Sequence, residues 1–532
     1  MNLRSRFHLF LCGWLLLFCC VLIDGCSQDE DTAADSGPAP DDDAADDDVV
    51  SDDDQADDDQ VDDDSADDDT VDDDSGDDDA TPPPNVKTLS WLKVEDGGLV
   101  DEYGRQWLMR GINARVAGLF DGSGEWAIAP AVYAEWDAWA MANFGFNLFR
   151  LPINWSALEP IEGEFSESYL ALLDQVVAWA RDAGVYVLID FHQDKYSKYI
   201  GDDGAPKWAI YPPLPDGAGK DADKSDYSLQ IMLAVANFFN NHEQIRDRFM
   251  PAWRLVVSRY VDAPHVVGFE VMNEPITVYL LQGRRKLYEF YEQCAAALRE
   301  VDERHAIWLE PDVYRNKFLW APLRDTPFPD DNVVYEPHMY PNFNGMAFQT
   351  VEEWVSALTG TFDHLIAETV SWGAAPVIGE WGTHPYDDFA PALFEAIQDL
   401  ADKRKIGLAF WLWKEKSSGN WGLFDYDSGT ESWTERTGPG MDALLRPGVM
   451  AVPGRLIGQV FDMDASVLTI EFEAGGGEGA PLVYIPARYY PEGATVELDG
   501  EPIEVTIDPD TQRALLPWNG QAGAHELVVR PK

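Results

Sequence analysis

A chain of 532 residues with 45% hydrophobic content has room for two or three domains and a large core. Of its formal charge of −58, −28 falls between Asp29 and Asp79, where no Lys or Arg occurs, and −30 on the remainder. An acidic surface of this kind repels phosphate backbones and excludes nucleic acid as a partner, while the 20 Trp and 20 Tyr supply both core packing and rings that can stack on sugars.

The first element is an export signal over residues 1–25. Arg4 and Arg6 precede an apolar run from Phe7 to Ile23 that is short for a membrane span. Ile23-Asp24-Gly25-Cys26 is similar to a bacterial lipobox, which implies cleavage and lipidation at Cys26; a plain secretory signal is the alternative. Ser27 then points to an outer-membrane or cell-surface lipoprotein. Cys12, Cys19 and Cys20 would leave with the signal, so Cys294 is the one cysteine of the body and no internal disulfide is expected. Residues 26–88 form an Asp-rich spacer with a near five-residue repeat and no apolar face, expected to be extended and disordered. It lacks the Gly and Glu of an EF-hand loop, so a specific calcium site is the weaker reading.

From residue 89 to 446, short apolar runs alternate with helical patterns. Strands are expected at Leu108–Asn113, Asn147–Pro152, Val185–Phe191, Val266–Glu270, Ala306–Glu310, Val333–Pro337, Pro376–Glu380 and Leu408–Trp413. Helices are expected at Tyr169–Ala183, Arg284–Val301 and Val351–Trp372, among others. Eight strands separated by helices predict an α/β fold, a (β/α)8 TIM barrel. Residues 447–532 change to short strands with Gly-rich turns, including a hairpin at Asp499-Gly500, and predict a C-terminal antiparallel β-sandwich.

Two of the apolar runs end on a glutamate. Val271-Met272-Asn273-Glu274-Pro275 follows the fourth strand, and Val377-Ile378-Gly379-Glu380-Trp381-Gly382 closes the seventh. Two carboxylates at the C-terminal rim of one barrel are what glycoside hydrolysis requires. Glu310 and Glu336 also end strands, and either replaces one of the pair if the strand count is wrong. The His residues lack His-Glu-x-x-His spacing, so neither a catalytic metal nor a cofactor is expected.

With these segments the chain resembles family 5 of the glycoside hydrolases. Gly145-Phe146-Asn147-Leu148-Phe149-Arg150-Leu151-Pro152 looks like that family's second strand, and Glu336-Pro337-His338-Met339-Tyr340 looks like its sixth. The resemblance implies a retaining β-glycosidase. Glu274 would be the acid/base and Glu380 the nucleophile, supported by Arg150, Asn273, His338 and Tyr340. Trp411 would floor the sugar subsite, with Trp413 as the alternative. Within the family the chain is most similar to endoglycoceramidases. Asp190-Phe191-His192-Gln193-Asp194-Lys195-Tyr196-Ser197 and Gly204-Ala205-Pro206-Lys207-Trp208-Ala209 resemble their segments and imply sugar contacts by His192, Asp194 and Trp208. Tyr484 to Gly493 resembles their appended β domain.

The implied partner is a carbohydrate or a glycolipid, met by a monomer held at a membrane through Cys26. Ile210, Tyr211, Leu214, Phe238 and Phe239 are candidate apolar walls. Asn113-Ala114-Arg115-Val116-Ala117-Gly118 lacks the lysines expected of glucosyl-preferring members. A β-glucanase on the same barrel, a non-catalytic sugar-binding lipoprotein and a structural surface protein are the rival functions.

Overall fold

The computed structural model describes residues 85–114, 133–214, 228–318, 326–340, 350–416 and 421–532. The apolar leader, Cys26, the acidic repeat and Arg115 to Gly118 lie outside them.

Three short strands open the described chain: β1 (Leu92–Glu95), β2 (Gly98–Asp101) and β3 (Arg105–Trp107). Eight parallel strands follow and close on themselves: β4 (Arg110–Asn113), β5 (Leu148–Asn154), β6 (Tyr186–His192), β7 (Val266–Glu270), β8 (Ala306–Leu309), β9 (Val333–Tyr335), β10 (Ala375–Trp381) and β11 (Gly407–Phe410). Every residue of β5, β6 and β10 is buried. That is the consequence of covering a parallel sheet with helices on one side and a filled barrel on the other. The helix Glu167–Asp182 shows the packing logic. Its buried residues Tyr169, Leu170, Leu173, Val176, Val177 and Ala180 recur every three or four positions, and the Ser166 hydroxyl caps its start. The helix Val351–Trp372 has the bounds expected from sequence: Thr350 caps it, and Gly373 at φ +69° stops it in the left-handed region.

After a small hairpin of β12 (Phe424–Asp427) and β13 (Ser432–Glu435) come β14 (Gly448–Pro453), β15 (Arg455–Asp462), β16 (Val467–Ala474), β17 (Leu482–Tyr484), β18 (Ala494–Leu498), β19 (Glu501–Ile503), β20 (Arg513–Leu515) and β21 (Gly523–Pro531). They form two antiparallel sheets, in the orders β1-β2-β3-β14-β17-β20 and β15-β16-β21-β18-β19. Val449, Leu456, Phe461, Leu468, Ile470, Phe472, Val483 and Leu527 share one buried cluster between the sheets, which makes the unit a sandwich. Asp499-Gly500 is its two-residue turn, with φ of +53° and +81°.

One boundary differs from the sequence reading. Residues 92–107, assigned there to the barrel, belong to the sandwich, because β3 pairs with β14 through Trp107↔Ala451 and Gln106↔Val452. The runs Leu92–Glu95 and Gly98–Asp101 are too short and too close together to separate from a barrel entry by pattern alone. Their side chains do couple the two units. Leu92, Leu99 and Trp107 share a buried cluster with Met450, Ala451 and Leu482 of the sandwich. The same cluster takes in Leu148, Tyr186, Leu188, Val267, Ala306, Val334 and Ala375, at or near the N-terminal ends of the barrel strands. The six-stranded sheet therefore closes the bottom of the barrel and leaves the opposite end for chemistry.

Removing residues 1–84 is expected to leave the melting temperature unchanged, since the leader reads as cleaved on export and the acidic repeat has no apolar face in its sequence. Trp107→Ala is expected to cost about 3–5 kcal/mol in urea unfolding. Its ring is 4% exposed, packs edge-on to Tyr186 at 5.2 Å and donates to Asp101 Oδ2 at 2.8 Å. A loss below about 1 kcal/mol would show that the sheet does not brace the barrel.

Candidate active site

Most of the residues singled out from sequence converge on or just past β5, β6, β7, β9, β10 and β11. Their centre is Arg150 on β5, whose guanidinium has no solvent exposure. It donates from Nε and Nη2 to the two oxygens of Glu270, both at 2.6 Å, and from Nη1 to Glu380 Oε1 at 2.8 Å. Asn113 Oδ1 and Asn273 Oδ1 accept from it at 3.0 and 2.9 Å. Asp190 Oδ2 lies at 3.0 Å and Glu336 Oε1 at 3.3 Å.

One cation thus faces four buried carboxyl groups. Burial disfavours the charged form of each, and one positive charge cannot offset four negative ones, so protons stay on some of them. Burial raises the Asp190 carboxyl to about 7, opposed by Arg150. Burial and then the neighbouring Glu270 charge hold Glu336 well above the carboxylate range. Gly379 makes room for Glu336: a Cβ there would stand 2.0 Å from its Oε1.

Glu274 and Glu380 differ from the other acids in reaching solvent. Their side chains are 25% and 7% exposed, against none for Asp190, Glu270, Glu310 and Glu336. Glu310 and Glu336, the competitors considered from sequence, are therefore walled off. An oxygen of Glu274, an oxygen of Glu380 and a ring nitrogen of His338 lie within 4.8 Å of one another. Carboxyl groups this close suit direct attack on carbon, whereas seating a water between them needs about 6.5–9.5 Å.

Glu380 Oε2 accepts from the Tyr340 hydroxyl at 2.7 Å. Its carboxyl is raised, first by burial; the permanent charge of Arg150 pulls it back toward the ionised form. Glu274 sits at φ +39°, a left-handed backbone that costs a non-glycine residue of order 1–3 kcal/mol. Pro275 follows it. The Gln193 amide holds this turn by donating to the carbonyls of Asn273 and Glu274 at 2.6 and 3.0 Å. His338 Nδ1 is 3.1 Å from Glu274 Oε1. Burial lowers its ring to about 4, so it is neutral at ordinary pH.

The remaining residues divide. His192 Nδ1 pairs with Asp190 Oδ2 at 2.6 Å, and its ring lies 6.1 Å from Trp411 with the planes 22° apart. These two rings join the site, and of the alternative tryptophans it is Trp411 that does so. Trp413 is fully buried, donates to Asp137 and packs on Phe144 and Phe424. Asp194 shares a cluster with His192 and Asp203. Trp208 donates to the Glu159 carbonyl and packs edge-on to Trp155, and no described contact joins it to the two glutamates. Sequence reasoning did not single out Asn113, Asp190 or Gln193. The signal for Asp190 and Glu270 was present: a charged residue inside an otherwise apolar strand is buried and needs a partner.

Comparisons with known proteins match both the barrel and the sandwich. Residues 100–417 match the model of cellulase, glycosyl hydrolase family 5, and residues 446–529 match the glycoside hydrolase family 5 C-terminal domain. Endoglycoceramidase I of Rhodococcus hoagii strain 103S is 25% identical over 480 residues, covering 83% of this chain and 89% of the relative. The endoglycoceramidase of Cyanea nozakii is 26% identical, covering 70% of this chain and 79% of its own. In three dimensions, the lactosyl-enzyme intermediate of endo-glycoceramidase II from Rhodococcus sp. superposes with a TM-score of 0.69 at 24% identity, over 83% of this chain and all of that one.

Arg150→Met tests the charge balance of the cluster. With Glu270 left buried and unpaired, the variant is expected to lose about 3–5 kcal/mol in urea unfolding at pH 8. The deficit should shrink at pH 5, because carboxyls without a cation take up protons and their neutral forms tolerate burial. A deficit that is constant with pH would argue against the cluster as drawn.

Proposed function

This chain belongs to glycosyl hydrolase family 5, and from that we propose that it cleaves the β-glycosidic bond between glycan and lipid of glycosphingolipids, with retention, using Glu274 and Glu380. The observation that carries the reading is that likeness to endoglycoceramidases runs through barrel and sandwich together, over 83% of the chain.

The chemistry follows from the positions. In the first step Glu274 gives its proton to the glycosidic oxygen while Glu380 attacks the anomeric carbon from the other face, so the C–O bond to the lipid breaks as the bond to Glu380 forms. In the second step Glu274, now a carboxylate, takes a proton from water, whose oxygen displaces Glu380 and restores the original configuration. Arg150 and Tyr340 stabilise the departing Glu380 carboxylate. One Asn273 N–H donates to the Gln193 carbonyl at 3.1 Å, and its second suits the sugar 2-hydroxyl. Trp411 is placed to stack on the sugar.

An apolar cavity of about 40 Å³ is lined by His192, Gln193 and Met272 together with Phe191, Tyr196, Val235, Phe238 and Phe239. The helix Leu229–Phe239 carries three of these walls and exposes Leu229 and Leu233 on its outer side. This apolar flank suits a lipid better than a row of glucose units. Ile210, Tyr211 and Leu214, also considered as walls, do not line this cavity. The leader and Cys26 fit a lipid-tethered exported protein whose spacer of about 50 residues spans roughly 40 Å or more.

Glu380→Gln is expected to abolish turnover, and Glu274→Gln to impair alkyl glycosides far more than aryl glycosides with activated leaving groups. Proton NMR should show the β-anomer as the first product; the α-anomer would exclude the mechanism. The acid limb of kcat/KM should lie above the ordinary glutamate range, since burial raises Glu380 and activity is lost as it protonates; Tyr340→Phe should move that limb higher still. For the substrate, glucosylceramide, longer glycosphingolipids and β-glucan oligosaccharides are offered in turn and products identified by mass. Each buried acyl CH₂ removed is expected to lower kcat/KM by up to about fourfold. Efficient glucan cleavage with no ceramide released would overturn the lipid reading. Cys26→Ser should abolish incorporation of labelled palmitate.

A further inference from the structure

Glu310 has no part in the double displacement, yet it reaches Glu274 by two routes, one direct and one through His338. Its side chain follows β8 and has no solvent exposure. Its Oε2 accepts the main-chain N–H of Glu274 at 2.5 Å. Its Oε1 is 3.5 Å from His338 Nδ1, the same nitrogen that stands 3.1 Å from Glu274 Oε1. One contact therefore acts on the backbone of Glu274, and the other acts on its carboxyl through a shared imidazole. Glu310 is itself fixed, because the Tyr291 hydroxyl donates to its carbonyl at 2.8 Å and Pro311 follows it.

The acid needs such a hold. Glu274 is the non-glycine residue at φ +39° between a strand end and a proline, so its local preferences do not keep it there. Gln193 grips the turn by its carbonyls, and Glu310 grips it by its N–H. We infer that Glu310 is a positioning residue that clamps the left-handed turn at Glu274 and so aims the general acid at the glycosidic oxygen. The inference rests on the reading of Glu274 as the acid. Burial and the neighbouring Glu274 and Glu270 carboxyls hold Glu310 well above the usual carboxylate range. In its neutral form it still accepts an N–H through its carbonyl oxygen, and it adds no second negative charge beside the acid.

The test compares Glu310→Leu, which keeps bulk and removes the acceptor, with Glu310→Gln, which keeps an acceptor oxygen without charge. Each is assayed on an alkyl β-glycoside and on a dinitrophenyl β-glycoside of the same sugar. Sites with a competent Glu380 are counted by trapping with a 2-deoxy-2-fluoro glycoside. Glu310→Leu is expected to lose about 100-fold in kcat/KM per trapped site on the alkyl glycoside, the scale of general-acid catalysis, and to lose less than about threefold on the dinitrophenyl one. Glu310→Gln should keep activity within about fivefold on both. Equal losses on the two substrates, or a loss wholly explained by fewer trapped sites, would overturn the inference, as would full activity of Glu310→Leu. Glu274→Gln run alongside isolates the underlying reading: if it shows no leaving-group dependence, the assignment of the acid fails whatever Glu310 does.

Discussion

A single guanidinium inside the barrel sets the terms for everything at the rim. Arg150 is bonded to Glu270, Glu380, Asn113 and Asn273, with Asp190 and Glu336 within ion-pair reach. Its partners come from β4, β6, β7 and β10 and from the residues just past β7 and β9, so moving any of these strands breaks a contact to the guanidinium. A buried cation with an excess of acids also fixes where charge can reside. Glu270 and Glu380 receive the shortest bonds, while Asp190 and Glu336 are pushed toward their protonated forms. The barrel thus supplies one ionised carboxylate at the solvent edge without paying for a fully ionised interior.

The division between what the sequence disclosed and what it concealed follows from this. Runs such as Val185–Phe191 and Pro376–Glu380 were legible because strands covered on both sides must be apolar throughout, and Glu274 and Glu380 stood out as charges ending such runs. The helix Val351–Trp372 was legible to the residue because Thr350 and Gly373 are strong local signals. Long-range pairings were not. Nothing in Leu92–Trp107 states that its partner strand lies more than 300 residues away at Gly448–Pro453. Strands such as Glu501–Ile503 and Arg513–Leu515 are too short to show a period.

Within the site, identity was easier to read than geometry. A motif names Asn273 and Glu274, but the left-handed turn that presents Glu274 depends on Gln193 and Glu310, which come from two other strand ends. Likewise Trp411 and Trp413 are equivalent by spacing. What separates them is that Asp137 and the rings of Phe144 and Phe424 capture Trp413 on the outside of the barrel. Trp208 shows the converse: a matching segment places the residue, and its indole hydrogen goes to a main-chain carbonyl.

The sheet that plugs the barrel has a directional meaning. Because Val86 and Leu89 pack with that plug, the polypeptide enters the body at the blind end, on the face opposite Glu274 and Glu380. The described chain therefore starts on the face away from the barrel mouth, and a substrate reaches the two glutamates without passing its first residues.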